Sequence, residues 1–252
     1  MAAQSGHPVL AAKHLRKVYG HVVALRDGSV EAYSGQILGI VGDNGAGKST
    51  LIKILAGVIN PDEGEIEVHG KRIVWSDPMS AREGGISCVF QDLALVEALS
   101  VTANMFLGVE LRRGPFVRRR EMALQAAQRL AQLNIQVPSV TTEVGRLSGG
   151  QRQGVAVARA VLQGGAIVIM DEPTAALGVR ETGRVEGIIK RLRSEGRAVI
   201  LVSHDMELVF RLADRIVVMR LGATVACVDK SAVDRDHVVG LITGSIGRVD
   251  GT

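Results

Sequence analysis

Gly42-Asp-Asn-Gly-Ala-Gly-Lys-Ser-Thr50 decides how the rest of the chain is read. Gly42, Gly47, Lys48 and Ser49 meet the spacing G-x-x-x-x-G-K-[ST], a loop whose backbone N–H groups cradle phosphate. Its surroundings agree. The apolar run Ile37-Leu-Gly-Ile-Val41 before it has the character of a buried strand, and Ser49 to Ala56 after it is helical in pattern. Glycines let the amides of the loop, those of Asn44 and Gly45 included, turn inward, and the helix N-terminus adds a favourable dipole. Lys48 is expected on the β- and γ-phosphates of ATP, Ser49 on Mg²⁺, and Thr50 on nearby phosphate oxygens. Strand, loop and helix together imply an α/β fold: a P-loop NTPase core with a mostly parallel sheet.

Two further apolar runs complete the expected site. Ala166-Ile-Val-Ile-Met170 reads as a strand buried on both faces and ends in Asp171-Glu172. The two carboxylates emerge where open α/β sheets bind ligands. Asp171 is expected to hold Mg²⁺ through water, and Glu172 to act on the attacking water as general base or orienting group. Ala198-Val-Ile-Leu-Val202 ends in Ser203-His204-Asp205, so His204 could donate a hydrogen bond to the γ-phosphate or the attacking water. Gln91 follows the strand-like Ile86-Ser-Cys-Val-Phe90 and could offer its carbonyl oxygen to Mg²⁺ or the water.

A second segment, Leu147-Ser-Gly-Gly-Gln-Arg-Gln153, opens a helical stretch over about 150–163. Ser148 fits an ordinary N-cap, and the amides of Gly149 and Gly150 at the positive helix end fit a γ-phosphate. With these motifs in this order the chain resembles the nucleotide-binding subunit of an ATP-binding cassette (ABC) transporter over roughly residues 9–243. The resemblance implies that Tyr19, in Lys17-Val-Tyr-Gly20, stacks on adenine. It also implies a head-to-tail homodimer in which Ser148, Gly149, Gly150 and Gln151 of one copy meet the ATP held by the other. Residues 92–146 would be an inserted helical subdomain that docks on a membrane permease, with Gln91 at its hinge reporting γ-phosphate occupancy. The α/β core would comprise 9–91 and 147–243 and include an antiparallel β subdomain that covers the base.

A narrower resemblance lies in Gln91-Asp-Leu-Ala-Leu-Val-Glu-Ala-Leu-Ser-Val-Thr-Ala-Asn-Met-Phe-Leu-Gly108 and Asp171-Glu-Pro-Thr-Ala-Ala-Leu-Gly-Val179. Both are similar to monosaccharide importers of the ribose, xylose and fructose type, and most similar to the fructose type. It implies a sugar-binding protein outside the membrane as an indirect partner. Two departures stand out: one cassette where most ribose- and xylose-type chains carry two, and Gly178 where the family usually has Asp. An ABC ATPase of another class, either a transporter of another substrate or a soluble cassette acting on nucleic acid or ribosomes, is the alternative. Only 100 residues separate Lys48 from Ser148, too few for the long coiled coil of the DNA-repair type.

Composition narrows the setting. The chain has 252 residues, 46% hydrophobic and only 3% aromatic, which suits parallel α/β packing. No apolar run approaches the ~20 residues that cross a bilayer, and Met1 to Pro8 lacks a signal-peptide pattern. A cytoplasmic protein, peripheral on the inner membrane face and touching it only through a partner, is expected. Cys88 and Cys227 make no disulfide framework. The net charge of +4 is too mild to imply nucleic acid. The basic run Arg112-Arg113 and Arg118-Arg-Arg120 is expected to be a solvated loop and first helical turn, since aromatics do not alternate with its arginines. Turns are expected at Tyr19-Gly20, Asp27-Gly28 and Asn60–Gly64, and flexible tails at 1–8 and 244–252.

Overall fold

The computed structural model describes residues 6–175 and 177–246, so most of the expected tails 1–8 and 244–252 lies outside the described residues. Strands β1 (Leu10–Tyr19) and β2 (Val22–Ala32) form an antiparallel hairpin. Strand β3 (Ile37–Val41) runs into helix α1 (Lys48–Leu55). A second hairpin, β4 (Glu63–Val68) and β5 (Lys71–Ile73), leads through α2 (Pro78–Glu83) to β6 (Ile86–Val89). Between Gln91 and Ser148 lie α3 (Val101–Met105), a small hairpin of β7 (Arg112–Arg113) and β8 (Phe116–Val117), and α4 (Arg119–Gln132). The chain continues through α5 (Gly149–Leu162), β9 (Ile167–Asp171), α6 (Val179–Ser194), β10 (Ala198–Val202) and α7 (Met206–Leu212). It closes with β11 (Arg215–Arg220), β12 (Ala223–Asp229) and α8 (Arg235–Thr243).

Ten strands join in the order β5-β4-β1-β2-β12-β11-β3-β10-β9-β6. Strands β11, β3, β10, β9 and β6 are parallel, as expected of runs with no polar face. Alternate residues of each serve two cores. Val41, Met170, Val199 and Leu201 pack toward α5, α6 and α7, while Leu38, Ile40, Ile169 and Ile200 pack toward α1. All five residues of β3 and of β10 are buried. This clamps the C-terminal strand ends, from which the expected site residues leave.

The remaining strands are antiparallel, except that β2 meets β12 in parallel through one pair, Asp27 with Ala223. That pair explains a correction. Asp27-Gly28 is not a turn; it lies inside β2, between register shifts of the β1 ladder, where Gly28 pairs with Leu15 of β1 and Asp27 meets Ala223 of β12. The expected Asn60–Gly64 turn also ends early, because Glu63 and Gly64 already belong to β4 and pair with β1. Arg112-Arg113 is a strand of a hairpin rather than a loop, while Arg119 and Arg120 do open α4.

Candidate nucleotide site

Strand β3 has no polar side chain with which to continue, and its end becomes the loop Gly42–Gly47. Gly42, Gly45 and Gly47 have φ of 151°, 80° and 98°. These values favour glycine and turn successive amides to one side. Space enforces the choice at two of them. A Cβ on Gly42 would lie 2.2 Å from the Met219 carbonyl oxygen, and one on Gly47 would lie 3.0 Å from that of Ala24. The loop is therefore wedged against β2 and the β11–β12 turn, and Gly222 N–H donates to the Ala46 carbonyl at 3.1 Å. Gly47 caps α1 without a side-chain bond, so the amides of its first turn remain available.

Lys48 curls back over this loop. Its Nζ donates to the Gly42 carbonyl at 2.6 Å and the Asp43 carbonyl at 2.9 Å. Burial pushes its pKa down, while the carboxylates of Glu172, Asp43 and Asp171 pull it back up. On β9, two strands from β3, burial and then the charge of Glu172 hold the Asp171 carboxyl above its ordinary value, with Lys48 and Lys53 opposing. Lys48, Asp171 and Glu172 thus form one electrostatic group, brought together by β3, β9 and the strand β10 between them. Ser49 and Thr50 follow in the first turn of α1; Asn44 and Gly45 stand exposed at the loop crest.

Glu172 is the most constrained member. Its φ of 49° is left-handed, unusual for a non-glycine residue. The Glu172 amide donates to the Val202 carbonyl at 2.9 Å, which ties it to the end of β10. The next residues of that strand hold its carboxylate. The fully buried Ser203 donates from Oγ to Oε2 at 3.3 Å, and the His204 amide donates to Oε1 at 3.0 Å. His204 Nδ1 lies 2.9 Å from the same oxygen. A carboxylate only accepts, so Nδ1 carries a proton; in the neutral ring Nε2 is then an acceptor. Donation from Nε2 to a phosphate therefore requires the imidazolium. Ser203 also accepts from the Asp205 amide at 3.0 Å, and Asp205 caps α7.

Gln91 is exposed just beyond β6 and lines a cleft of about 280 Å³ with Glu172, Gly149, Arg152, Gln153 and Leu177. Nearby, Leu93 and Ala94 are both left-handed, at φ 57° and 46°. Arg159 of α5 binds their carbonyls with its two guanidinium nitrogens, each at 2.7 Å. At the other end of α5, Ser148 and Gln151 form a reciprocal capping box at 3.3 and 3.0 Å. The cap leaves the positive end of a 14-residue helix facing outward, with Ser148 exposed and Gly149 packed against Leu177. Tyr19 ends β1, is 47% exposed, and has the Lys17 ammonium 5.9 Å from its ring centre. Cys88 and Cys227 are free thiols, each raised by burial.

Two participants escaped sequence reasoning. Ser203 was passed over as the link before His204, although a serine at a strand end beside a carboxylate motif is a recognisable donor. Arg159 gave no signal, because its partners are backbone carbonyls 65 and 66 residues away.

The family described as ABC transporter matches residues 25–175. The fructose import ATP-binding protein FrcA of Rhizobium meliloti is 46% identical over 246 residues, which span 94% of this chain and 95% of that protein. The ribose import ATP-binding protein RbsA 2 of Escherichia coli O157:H7 is 39% identical over 237 residues, 94% of this chain but 47% of that one. Among solved structures, the dimeric post-hydrolysis state of the ATP-binding cassette MJ0796 bound to ADP and Pi has a TM-score of 0.76 at 26% identity. The match covers 88% of this chain and 98% of that one.

Proposed function

We propose that this chain, which belongs to the ABC transporter family, hydrolyses ATP to drive uptake of a monosaccharide through a membrane permease. The hydrolytic half of the proposal rests on one observation: Glu172 is held by three donors from Ser203 and His204 at the strand edge it shares with Lys48 and Asp171. A carboxylate fixed in this way beside a phosphate loop can orient water and take its proton. The sugar half is supported by the likeness to the fructose and ribose import ATP-binding proteins.

Lys48 exchanges its loop carbonyls for phosphate oxygens, a better partner for a buried ammonium. The loop amides from Gly42 to Gly47 hold the rest of the triphosphate, and Tyr19 supplies a face for adenine. Mg²⁺, when bound, neutralises charge developing on the phosphates. The donors suit it: Ser49, Gln91 and Asp171 offer oxygen alone, and among the described residues no cluster of three or more His, Cys, Asp or Glu could hold a metal unaided. An ion completed by phosphate oxygens and water is the arrangement Mg²⁺ favours. His204 positions Glu172 from one side, and Gln91 lines the same cleft.

The exposed, capped start of α5 supports a second copy as the partner. Ser148, Gly149, Gly150 and Gln151 would present the helix end to the γ-phosphate in the facing subunit, as the dimeric relative suggests. Residues 92–146 are the proposed docking piece for the permease. Among the described residues no helix is long and apolar enough to cross a membrane; the proposal assigns the permease to a separate chain and this subunit to the inner face.

The test uses tagged Glu172→Gln protein with Mg-ATP, sized by gel filtration and then used as bait on detergent-solubilised host membranes. An ATP-dependent dimer that retains a polytopic membrane protein is expected. A strict monomer in Mg-ATP removes the shared site, and recovery of ribosomes or nucleic acid alone removes the transport reading.

A further inference from the structure

The segment Arg112-Arg-Gly-Pro-Phe-Val-Arg-Arg-Arg120 has no part in the nucleotide site, yet it sets an exposed aromatic ring among five arginines. Every residue in it is exposed. Its two strands pair Arg113 with Phe116 and Arg112 with Val117 across a Gly114-Pro115 turn. Directly paired residues on antiparallel strands share a face. Phe116 therefore projects beside Arg113, and Val117 beside Arg112. Phe116 is 76% exposed, in a chain with four phenylalanines. A large apolar ring at a hairpin tip gains nothing from water.

Charge gathers around that ring. From Leu107 to Glu121 five arginines face two glutamates, a surplus of three in a chain whose net charge is +4. Arg112 leans on Glu110 at 3.4 Å and Arg118 on Glu121 at 2.5 Å. Among the described residues Arg113, Arg119 and Arg120 have no ion-pair partner. Leu107, Val109 and Val117, between 37% and 41% exposed, extend the apolar part at the base of the hairpin.

We infer that this hairpin is a contact site for anionic lipid headgroups, with Phe116 inserted at the headgroup–acyl boundary and Arg113, Arg119 and Arg120 on lipid phosphates. The chemistry is complementary on both counts. Clustered arginines are drawn to a negative membrane surface, and an aromatic between them suits the interface. A nucleic acid is a poorer fit, because sequence-independent strand binding uses several stacking aromatics along a groove and this hairpin offers one at a convex tip. The inference changes the expected relation to the membrane: the subunit touches lipid directly as well as through its permease. It does not depend on the transport proposal, since vesicles contain no permease.

The experiment is co-sedimentation of the purified full chain with vesicles of phosphatidylcholine, alone or mixed with phosphatidylglycerol. Binding to the mixed vesicles only, weakened by salt, is expected. Each unpaired arginine contributes about fivefold to partition, so Arg113→Ser/Arg119→Ser/Arg120→Ser should lose about 100-fold while its ATPase rate stays at the starting value. Phe116→Ser should lose several-fold and retain the salt dependence. Lys71→Ser/Arg72→Ser, removing charge from the β4–β5 hairpin, is the control and should change little. Equal binding to both vesicle types overturns the inference. So does a control that loses as much as the triple variant, or an oligonucleotide that displaces the protein from mixed vesicles at matched phosphate.

Discussion

Replacing Ser203 by Ala separates a catalytic carboxylate from one that is only buried nearby. The hydroxyl has two partners: it donates to Glu172 Oε2 at 3.3 Å and accepts from the Asp205 amide at 3.0 Å. A hydrogen bond to a charged group contributes about 1.5–3 kcal/mol, and the long donor distance puts this one near the bottom of that range. Stranding the Asp205 amide costs about 1 kcal/mol more. The sum of about 2.5 kcal/mol lowers Tm by roughly 5–10 °C for a chain of this length. The first component also reaches the reaction, because Oε2 loses its donor while Oε1 keeps both bonds from His204. If about 1 kcal/mol of positioning is lost, kcat falls about fivefold, with KM for ATP unchanged. Phosphate release at saturating Mg-ATP reads the first quantity and a substrate titration the second. Glu172→Gln, by contrast, should lose about 100-fold or more. A Ser203→Ala enzyme with normal kcat despite the expected Tm loss would refute a positioning role. A loss as deep as that of Glu172→Gln would refute the assignment of the proton to Glu172.

Three other perturbations probe the rest of the site. Gly47→Ala must place a Cβ 3.0 Å from the Ala24 carbonyl at φ 98°, which costs about 1–3 kcal/mol; differential scanning calorimetry should show the Tm loss, with weaker nucleotide binding by titration calorimetry. Asp171→Asn should raise the Tm of the nucleotide-free chain near pH 7. Because its folded pKa is raised, the folded state binds this proton more tightly, so stability declines as pH rises from the ordinary carboxylate range through the folded pKa. The Asn variant escapes that decline, and its advantage should vanish toward pH 3–4, while stabilisation by Mg-ATP is lost. Tyr19→Ala should weaken ATP binding by about 1 kcal/mol, or roughly fivefold, from lost stacking; an unchanged Kd removes Tyr19 from the adenine.

The parallel core was legible because its strands are runs such as Ile37–Val41 and Ala198–Val202, which no periodic alternative fits. The phosphate loop was legible because its glycines are required by backbone geometry. Where contacts are non-local, the sequence said less. Asp27-Gly28 has the composition of a turn, but Gly28 pairs with Leu15 of β1 and Asp27 with Ala223, nearly two hundred residues away. The β7–β8 hairpin is too short for a strand pattern, and the density of arginines obscured Phe116. Ser203 and Arg159 act on groups that only the assembled sheet brings to them. Helix ends differed by a residue or two, with α1 beginning at Lys48 rather than Ser49.

The grip of Arg159 on the Leu93 and Ala94 carbonyls has a mechanical consequence. Two consecutive left-handed residues store about 1–3 kcal/mol each and persist only while something holds them. What holds them is a residue of the helix whose opposite end is Ser148, eleven positions and about 16 Å away along a rigid rod. The segment beyond Gln91 and the segment that would greet a facing subunit's nucleotide are therefore two ends of one lever. Pulling one end loads the other, and if the arginine lets go, the wound backbone beyond Gln91 can unwind on its own.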